Sequence, residues 1–456
     1  MRIPITPPRL QDLLGEIHTP ERMAALLSRL PDIGTPHDYL HWDKLQHYSP
    51  PEGLSVREWW LLLKLSRSAA LRPIGLTDQQ GRPFRFAVPE RVAAELHRID
   101  LGMGDALDVP EPIMNPQTRD RYRVASLMEE SITSSQLEGA VTTREVARDM
   151  IRSGRKPRDN SERMILNNFN TMQRIRELKD EPLTPERVFE IHRRVTEDTL
   201  EEGSAAGRLR RPDERRVVAD DYGTLYHEPP AAEELPGRLA ALCDFANGLT
   251  PDGFVHPAVR AILLHFWLAY DHPFVDGNGR TARALFYWAM LHRGYWLFEF
   301  VSISAILRKA PAQYSRSFLY TETDDNDLTY FLLAQMEVIR KAMRELQDYI
   351  ARKTSEVREV EQHLRALELF NHRQVALIRH ATKHPGHRYT FISHQKSHAV
   401  AYQTARTDLL DLATRGILEP RKTGRQAIFV SPPDVLDRLL SLEKSEPNGS
   451  SGCCCA

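Results

Sequence analysis

His272-Pro273-Phe274-Val275-Asp276-Gly277-Asn278-Gly279-Arg280-Thr281-Ala282-Arg283 lies between two stretches with helical spacing of apolar residues, Pro257 to Tyr270 before it and Gly279 to Arg293 after it. The glycines let the connecting loop take positive φ and pass close to a ligand. The start of the second helix offers free amide donors and a positive dipole end, which together make an anion site. Arg280 and Arg283 stand three residues apart, share one helix face and can grip adjacent phosphates. Asp276 adds a carboxylate beside those phosphates, the usual way of holding Mg²⁺ with phosphate oxygens and water. His272 is the neighbouring side chain able to accept a proton at neutral pH. A base, a metal and an anion cradle, without a covalent nucleophile, suit direct transfer of a phosphate-centred group to an incoming hydroxyl.

The run resembles the signature of Fic proteins, HPFx(D/E)GNGRxxR, at every specified position. Val255-His256-Pro257 and His265 ahead of it, and DNDLTYF at Asp325–Phe331 behind it, agree; the resemblance covers roughly 119–350. It implies a mainly α fold, a helical bundle with a β-hairpin flap, that transfers AMP from Mg-ATP to Ser, Thr or Tyr hydroxyls of a protein. Carried over by position, the resemblance makes His272 the base, with Asn278 and Arg280 as further catalytic residues. Asp276 becomes the Mg²⁺ ligand, and Asn278 with the Gly277 and Gly279 amides forms the anion hole. Arg280 and Arg283 bind phosphates, Thr281 completes the nucleotide contacts, and Phe274 is a buried anchor. Tyr314 is expected either to line the adenine pocket or to belong to the core. A related kinase branch, the Doc toxins, has Lys at the place of Gly279, so glycine here favours nucleotidyl transfer.

Ser134-Ser135-Gln136-Leu137-Glu138-Gly139 resembles the family's inhibitory motif, (S/T)xxxE(G/N). That likeness implies an ion pair between Glu138 and Arg283 that takes away the partner of a γ-phosphate; removal of AMP from the target stays open as a second role for the same Glu138. Arg216-Val217-Val218 and Thr224-Leu225-Tyr226 flank Asp220-Asp221-Tyr222-Gly223, a hairpin signal that falls where the family has its target-binding flap.

Around this region the chain of 456 residues divides into an expected 1–117 of mixed helix and hairpin, a catalytic 118–350, a linker helix 351–369, a winged-helix-like 370–440 and a disordered tail 441–456. In the first part Ser55 and Glu58 form a capping box with Leu54 stapled onto Trp59, and a hairpin turns at Gln80-Gly81. Lys+Arg 61 against Asp+Glu 62 excludes a globally basic nucleic-acid binder, so any basic surface is local. Such a surface is expected in 371–430, where ten Lys and Arg face Asp408, Asp411 and Glu419 alone. There Tyr402, Gln403, Thr404 and Arg406 are placed to face a DNA groove, with Arg421, Lys422 and Arg425 at phosphates; a protein-binding or dimer role stays open. His372, His380, His384, His387, His394 and His398 lack zinc-ligand spacing with cysteines and are expected at the surface. Cys243 stands apart from Cys453, Cys454 and Cys455, which fits no disulfide framework, and with no apolar signal core or bilayer-length segment the expected location is the cytoplasm. The readings kept beside AMP transfer are a DNA-binding regulator that modifies only itself, a different nucleotide donor, and a homodimer.

Overall fold

The computed structural model describes residues 2–30, 39–104, 116–219, 222–366, 370–423 and 426–439. The described residues fall into two compact units, 2–104 with 119–346, and 116–118 with 347–439. In the first, α1 (Leu10–Gly15), α2 (Pro20–Leu27) and α3 (Trp42–Leu45) pack beside α4 (Val56–Ser68). The capping box of α4 forms as expected: Glu58 N–H donates to Ser55 Oγ (3.2 Å) and Ser55 N–H to Glu58 Oε2 (2.8 Å). Strands β1 (Arg72–Thr77) and β2 (Pro83–Phe86) make the expected hairpin. Their Ile74, Leu76, Phe84 and Phe86 are buried in the same core as the motif helices.

The helices that follow are α5 (Glu90–Gly104), α6 (Pro116–Leu137), α7 (Arg144–Ser153), α8 (Asn160–Glu177) and α9 (Pro185–Thr196). A short antiparallel pair comes next, β3 (Val218–Ala219) and β4 (Leu225–His227); the turn expected at Asp220-Asp221 lies outside the described residues. Then come α10 (Leu235–Asn247), α11 (Pro257–Asp271), α12 (Asn278–His292), α13 (Ile303–Lys309), α14 (Pro311–Thr323) and α15 (Thr329–Ala366). Helices α11 and α12 are apolar on nearly every side and buried along almost their whole length, so they form the centre around which the others pack. The structure is mainly helical, a central bundle accompanied by short hairpins, as the sequence led one to expect.

Two expected boundaries differ from the structure. The described residues before 105 do not stand apart as an N-terminal layer; they belong to the same compact unit as the motif helices. A buried polar network explains this. Lys64 Nζ pairs with Asp324 Oδ1 (2.7 Å), and Asp324 Oδ2 accepts from the Tyr330 hydroxyl (2.8 Å). Tyr39 donates to Asp327 (2.6 Å), and the Arg67 guanidinium lies 3.9 Å over the Tyr39 ring. Asp324, Asp327 and Tyr330 are therefore the seat of Tyr39, Lys64 and Arg67. The second difference is α15, which continues without a break where a separate linker helix was expected, since no Gly or Pro interrupts Thr329–Ala366.

In the second unit α16 (His372–Lys383), β5 (Arg388–Tyr389), α17 (Phe391–His398) and α18 (Tyr402–Thr414) precede β6 (Glu419–Thr423) and β7 (Gln426–Val430). The sheet order is β5-β7-β6, and Leu377, Ile378, Leu409, Leu412, Ile417 and Phe429 form the core between sheet and helices. His394 corrects the expectation of surface histidines: it is buried, with Nε2 3.1 Å from Asp408 Oδ2. Among the described residues no helix is long and apolar enough to cross a membrane.

Candidate functional site

The site is the loop between α11 and α12. His272 ends α11 in the left-handed region (φ 43°, ψ 55°), and its N–H still donates to the Leu268 carbonyl (3.1 Å). The ring is partly buried, and burial pushes its pKa down to about 4, helped by the nearby charge of His227. The imidazole is thus neutral at pH 7 and able to take a proton. Arg210 fixes the histidine from behind, with Nε donating to the His272 carbonyl (3.1 Å) and its own N–H to the Pro273 carbonyl (2.9 Å).

Phe274 is fully buried and stacks on His192, ring centroids 3.7 Å apart and 7° from parallel. Asn278 clamps the loop in both directions: its Oδ1 accepts from Phe274 N–H (2.9 Å) and its Nδ2 donates to the Phe274 carbonyl (2.9 Å). The side chain thus holds the loop in shape, and its backbone N–H and second Nδ2 hydrogen are the groups it has for the expected anion hole. The Gly277 amide likewise donates to Asp276 Oδ1 (2.6 Å). Thr281 also turns inward, its hydroxyl bonded to the Gly277 carbonyl (2.8 Å), as suits a side chain with no exposure. The amides open to an anion are therefore the first ones of α12, from Asn278 onward.

Gly277 takes φ 80°, and an ideally placed Cβ there would lie 2.5 Å from Thr196 Cγ2. Glycine is required on both counts. Replacing Gly277 with Ala is expected to cost about 1–3 kcal/mol, read as a lower midpoint in urea unfolding.

Arg280 is 1% exposed, and its Nη1 donates to the Val195 carbonyl (3.0 Å). Its Nε and Nη2 have no hydrogen-bond partner, and Nη2 comes only within 3.6 Å of Asp276 Oδ2. Two orphaned donors on a buried guanidinium, beside open amides, are a strong unmet demand for an anion. Arg283, on the same helix, is held through Nε and Nη2. Its Nε donates to Ser134 Oγ (2.8 Å), and its Nη2 donates to the Ser134 carbonyl (3.0 Å) and to Glu138 Oε1 (2.8 Å). Helix α6 delivers that carboxylate by ending at Leu137, with Gly139 at φ 94° turning the chain. The carboxylate lies directly over Gly279, in the space a Cβ would need.

Asp276 stays exposed, and no group of three or more His, Cys, Asp or Glu able to hold a metal occurs among the described residues. One carboxylate suits a Mg²⁺ that arrives with phosphate oxygens as its other ligands. Tyr314 holds its hydroxyl 2.8 Å from His265 Nε2 and lines a cavity of about 290 Å³ with Ile306, Leu307, Ala310 and Val338.

Sequence reasoning missed four positioning residues. His192 accepts from Gly207 N–H at Nδ1 (2.9 Å) and donates from Nε2 to the Asp276 carbonyl (2.9 Å). Arg210 was the second. Arg216 ties the hairpin to the motif loop through the Val275 carbonyl (3.1 Å). His227, on β4, donates from Nε2 to the Tyr270 carbonyl (2.7 Å) and places Nδ1 2.8 Å from Glu322 Oε2. Burial opposes a charge on that ring, but the bond to Glu322 and its charge outweigh it and raise the pKa. All four act across long sequence separations, and no local pattern marks them.

Residues 182–290 match the model of the Fic/DOC family. A protein adenylyltransferase Fic of Nematostella vectensis is 39% identical over 119 residues, 26% of this chain and 25% of that protein. The corresponding protein of Drosophila grimshawi is 35% identical over 118 residues, 25% of this chain and 21% of that one. The chain thus spans about a quarter of the length of the curated relatives it matches. Among solved structures, a Fic family protein from Desulfovibrio desulfuricans G20 aligns over 75% of this chain and 94% of its own at 19% identity, TM-score 0.49. A Fic domain containing signaling protein from Bacteroides thetaiotaomicron aligns over 56% and 96% at 18% identity, TM-score 0.45. The motif at 272–283 falls inside the matched segment with every signature residue in place, so residues 182–290 are similar to the Fic/DOC family in both overall match and signature.

Proposed function

We propose that this protein transfers AMP from Mg-ATP to a hydroxyl side chain of a protein, in the cytoplasm, and that Glu138 restrains the reaction. The observation that carries the reading is Arg280, buried with two unpartnered donors at the start of α12, one loop away from a neutral His272. The α-phosphate would sit against those donors and the first amides of α12, with Asp276 contributing a carboxylate to the Mg²⁺ of the substrate. The acceptor oxygen forms a bond to the α-phosphorus while the bond from that phosphorus to the bridging oxygen breaks. Pyrophosphate leaves, and the hydroxyl proton passes to His272. Donors already in place where charge builds need no reorganisation during the reaction. Main-chain pairing along the exposed hairpin, where Val217, Val218 and Leu225 are uncovered, would present the target segment.

Peptide mass spectrometry after incubation with Mg-ATP and a cell extract tests the reading. An AMP adduct on a Ser, Thr or Tyr of the protein or of an extract protein is expected. Absence of any adduct, with the Glu138→Gly variant as well as the wild type, would remove the proposal; an adduct formed only from UTP or GTP would keep the chemistry and change the donor.

A further inference from the structure

The second unit carries one surface that the transfer reaction does not use. Helix α18 buries Ala405, Asp408, Leu409 and Leu412 and turns Tyr402, Gln403, Arg406 and Thr407 outward. Both of its acidic residues are neutralised. Asp408 accepts from Asn371 Nδ2 (2.8 Å) and from Arg373 Nε (2.9 Å), and lies 3.1 Å from His394 Nε2. Asp411 takes bonds from Gln374 Nε2 (2.8 Å) and Arg415 Nε (3.0 Å). The third acid, Glu419, pairs with Arg438 (3.1 Å) and Arg421 (3.2 Å). No carboxylate of α18 is therefore left unpaired to repel a polyanion, while Arg388, Lys396 and Arg406 are exposed and make no ion pair among the described residues. A tight turn, with Ala399 at φ 52°, joins α17 to α18, so two successive helices are followed by the β6–β7 hairpin.

From this arrangement we infer that the second unit is a winged helix that binds double-stranded DNA, with α18 in the major groove. Gln403 and Arg406 have the donors and acceptors that read base edges, Tyr402 and Thr407 add apolar and hydroxyl contacts, and Arg388 and Lys396 reach phosphates. An acidic protein partner would also be drawn by the charge. It gives no reason for Gln403, Arg406 and Thr407 to stand together on the outward face of α18, although Tyr402 and Leu410 are exposed on that helix as well.

The test uses the full chain and a fluorescein-labelled mixed-sequence duplex of roughly 30 bp, followed by anisotropy. With three or four phosphate contacts, affinity is expected to fall on the order of 10²-fold between about 50 and 200 mM NaCl. Arg406→Ala with Lys396→Ala should weaken binding about 10-fold at the lower salt, with an unchanged unfolding midpoint. Gln403→Ala alone should flatten any preference among duplex sequences. Absence of binding at the lower salt overturns the inference, and so does binding that neither salt nor these substitutions change; either leaves a protein partner as the reading for this face. AMP transfer is measured separately, so failure here leaves the proposed reaction untouched.

Discussion

Replacing His272 with Ala is expected to lower the proposed AMP transfer by about 10²–10⁴-fold, the usual cost of losing a general base. The structure gives the reason for expecting the large end of that range. The ring ends α11, one loop before the open amides of α12, and burial holds its pKa at about 4, so it is neutral and ready at pH 7. The sign of the pH dependence follows. A base whose pKa is depressed from 6.5 works above that depressed value and fails as pH falls through it. On this account activity stays level from about pH 8 down to about pH 5 and drops below. Alanine at a left-handed position carries a backbone penalty, so His272→Asn, which tolerates φ 43°, is the better-folded partner variant. Both variants should bind ATP and unfold near the wild-type midpoint while failing to transfer. Transfer by His272→Asn at the wild-type rate would sink the role assigned to the imidazole.

The legibility of this protein in its sequence was uneven for physical reasons. Helices α11 and α12 and the loop between them were readable because their apolar spacing, the glycines and the arginines are local signals, and local signals survive in one sequence. The capping box at Ser55 and the hairpin at Gly81 were readable for the same reason. What was lost depended on which direction a side chain turns. Asn278, Gly277 and Thr281 carry polar groups that sequence alone directs to the ligand, yet the loop uses them to hold its own shape. Arg280 and Arg283 look equivalent at a spacing of three, but Arg280 ends with Nε and Nη2 unpartnered, while in Arg283 the same two nitrogens bond Ser134 and Glu138. His192 and His227 came from 84 and 43 residues away from the groups they hold, and such pairings leave no periodicity to read. The attachment of the first hundred residues to Asp324 and Asp327 was hidden in the same way.

Substituting Glu138 with Gly is expected to raise the proposed AMP transfer by about 10–100-fold, equivalent to roughly 1.4–2.8 kcal/mol. The carboxylate does two things at once. It satisfies Arg283, which is 2% exposed and has Glu138 as its only ionic partner among the described residues. It also fills the space over Gly279 where an anion bound to the first amides of α12 would have to lie. A γ-phosphate seeking Arg283, and the phosphate chain crossing α12, both meet a negative charge already seated. Arg283 is buried while the Glu138 side chain keeps 27% exposure, so displacing the carboxylate leaves a buried cation unpaired unless another anion takes its place. ATP therefore gives up part of its own binding energy to expel Glu138, or binds with its α-phosphate away from the line of attack, where effective molarity is lost. Without the carboxylate, Arg283 keeps its bonds to Ser134 but has an unmet charge that ATP now supplies. The variant alone should thus be less stable than wild type, and ATP should raise its unfolding midpoint more than it raises that of the wild type. Glu138→Gln, which keeps the bulk and loses the charge, should fall between the two. The decisive measurement pairs transfer rate with ATP-induced thermal shift across the three proteins. If all three label at one rate and gain one shift, Glu138 is only the end of a helix, and restraint has to be sought elsewhere in the chain.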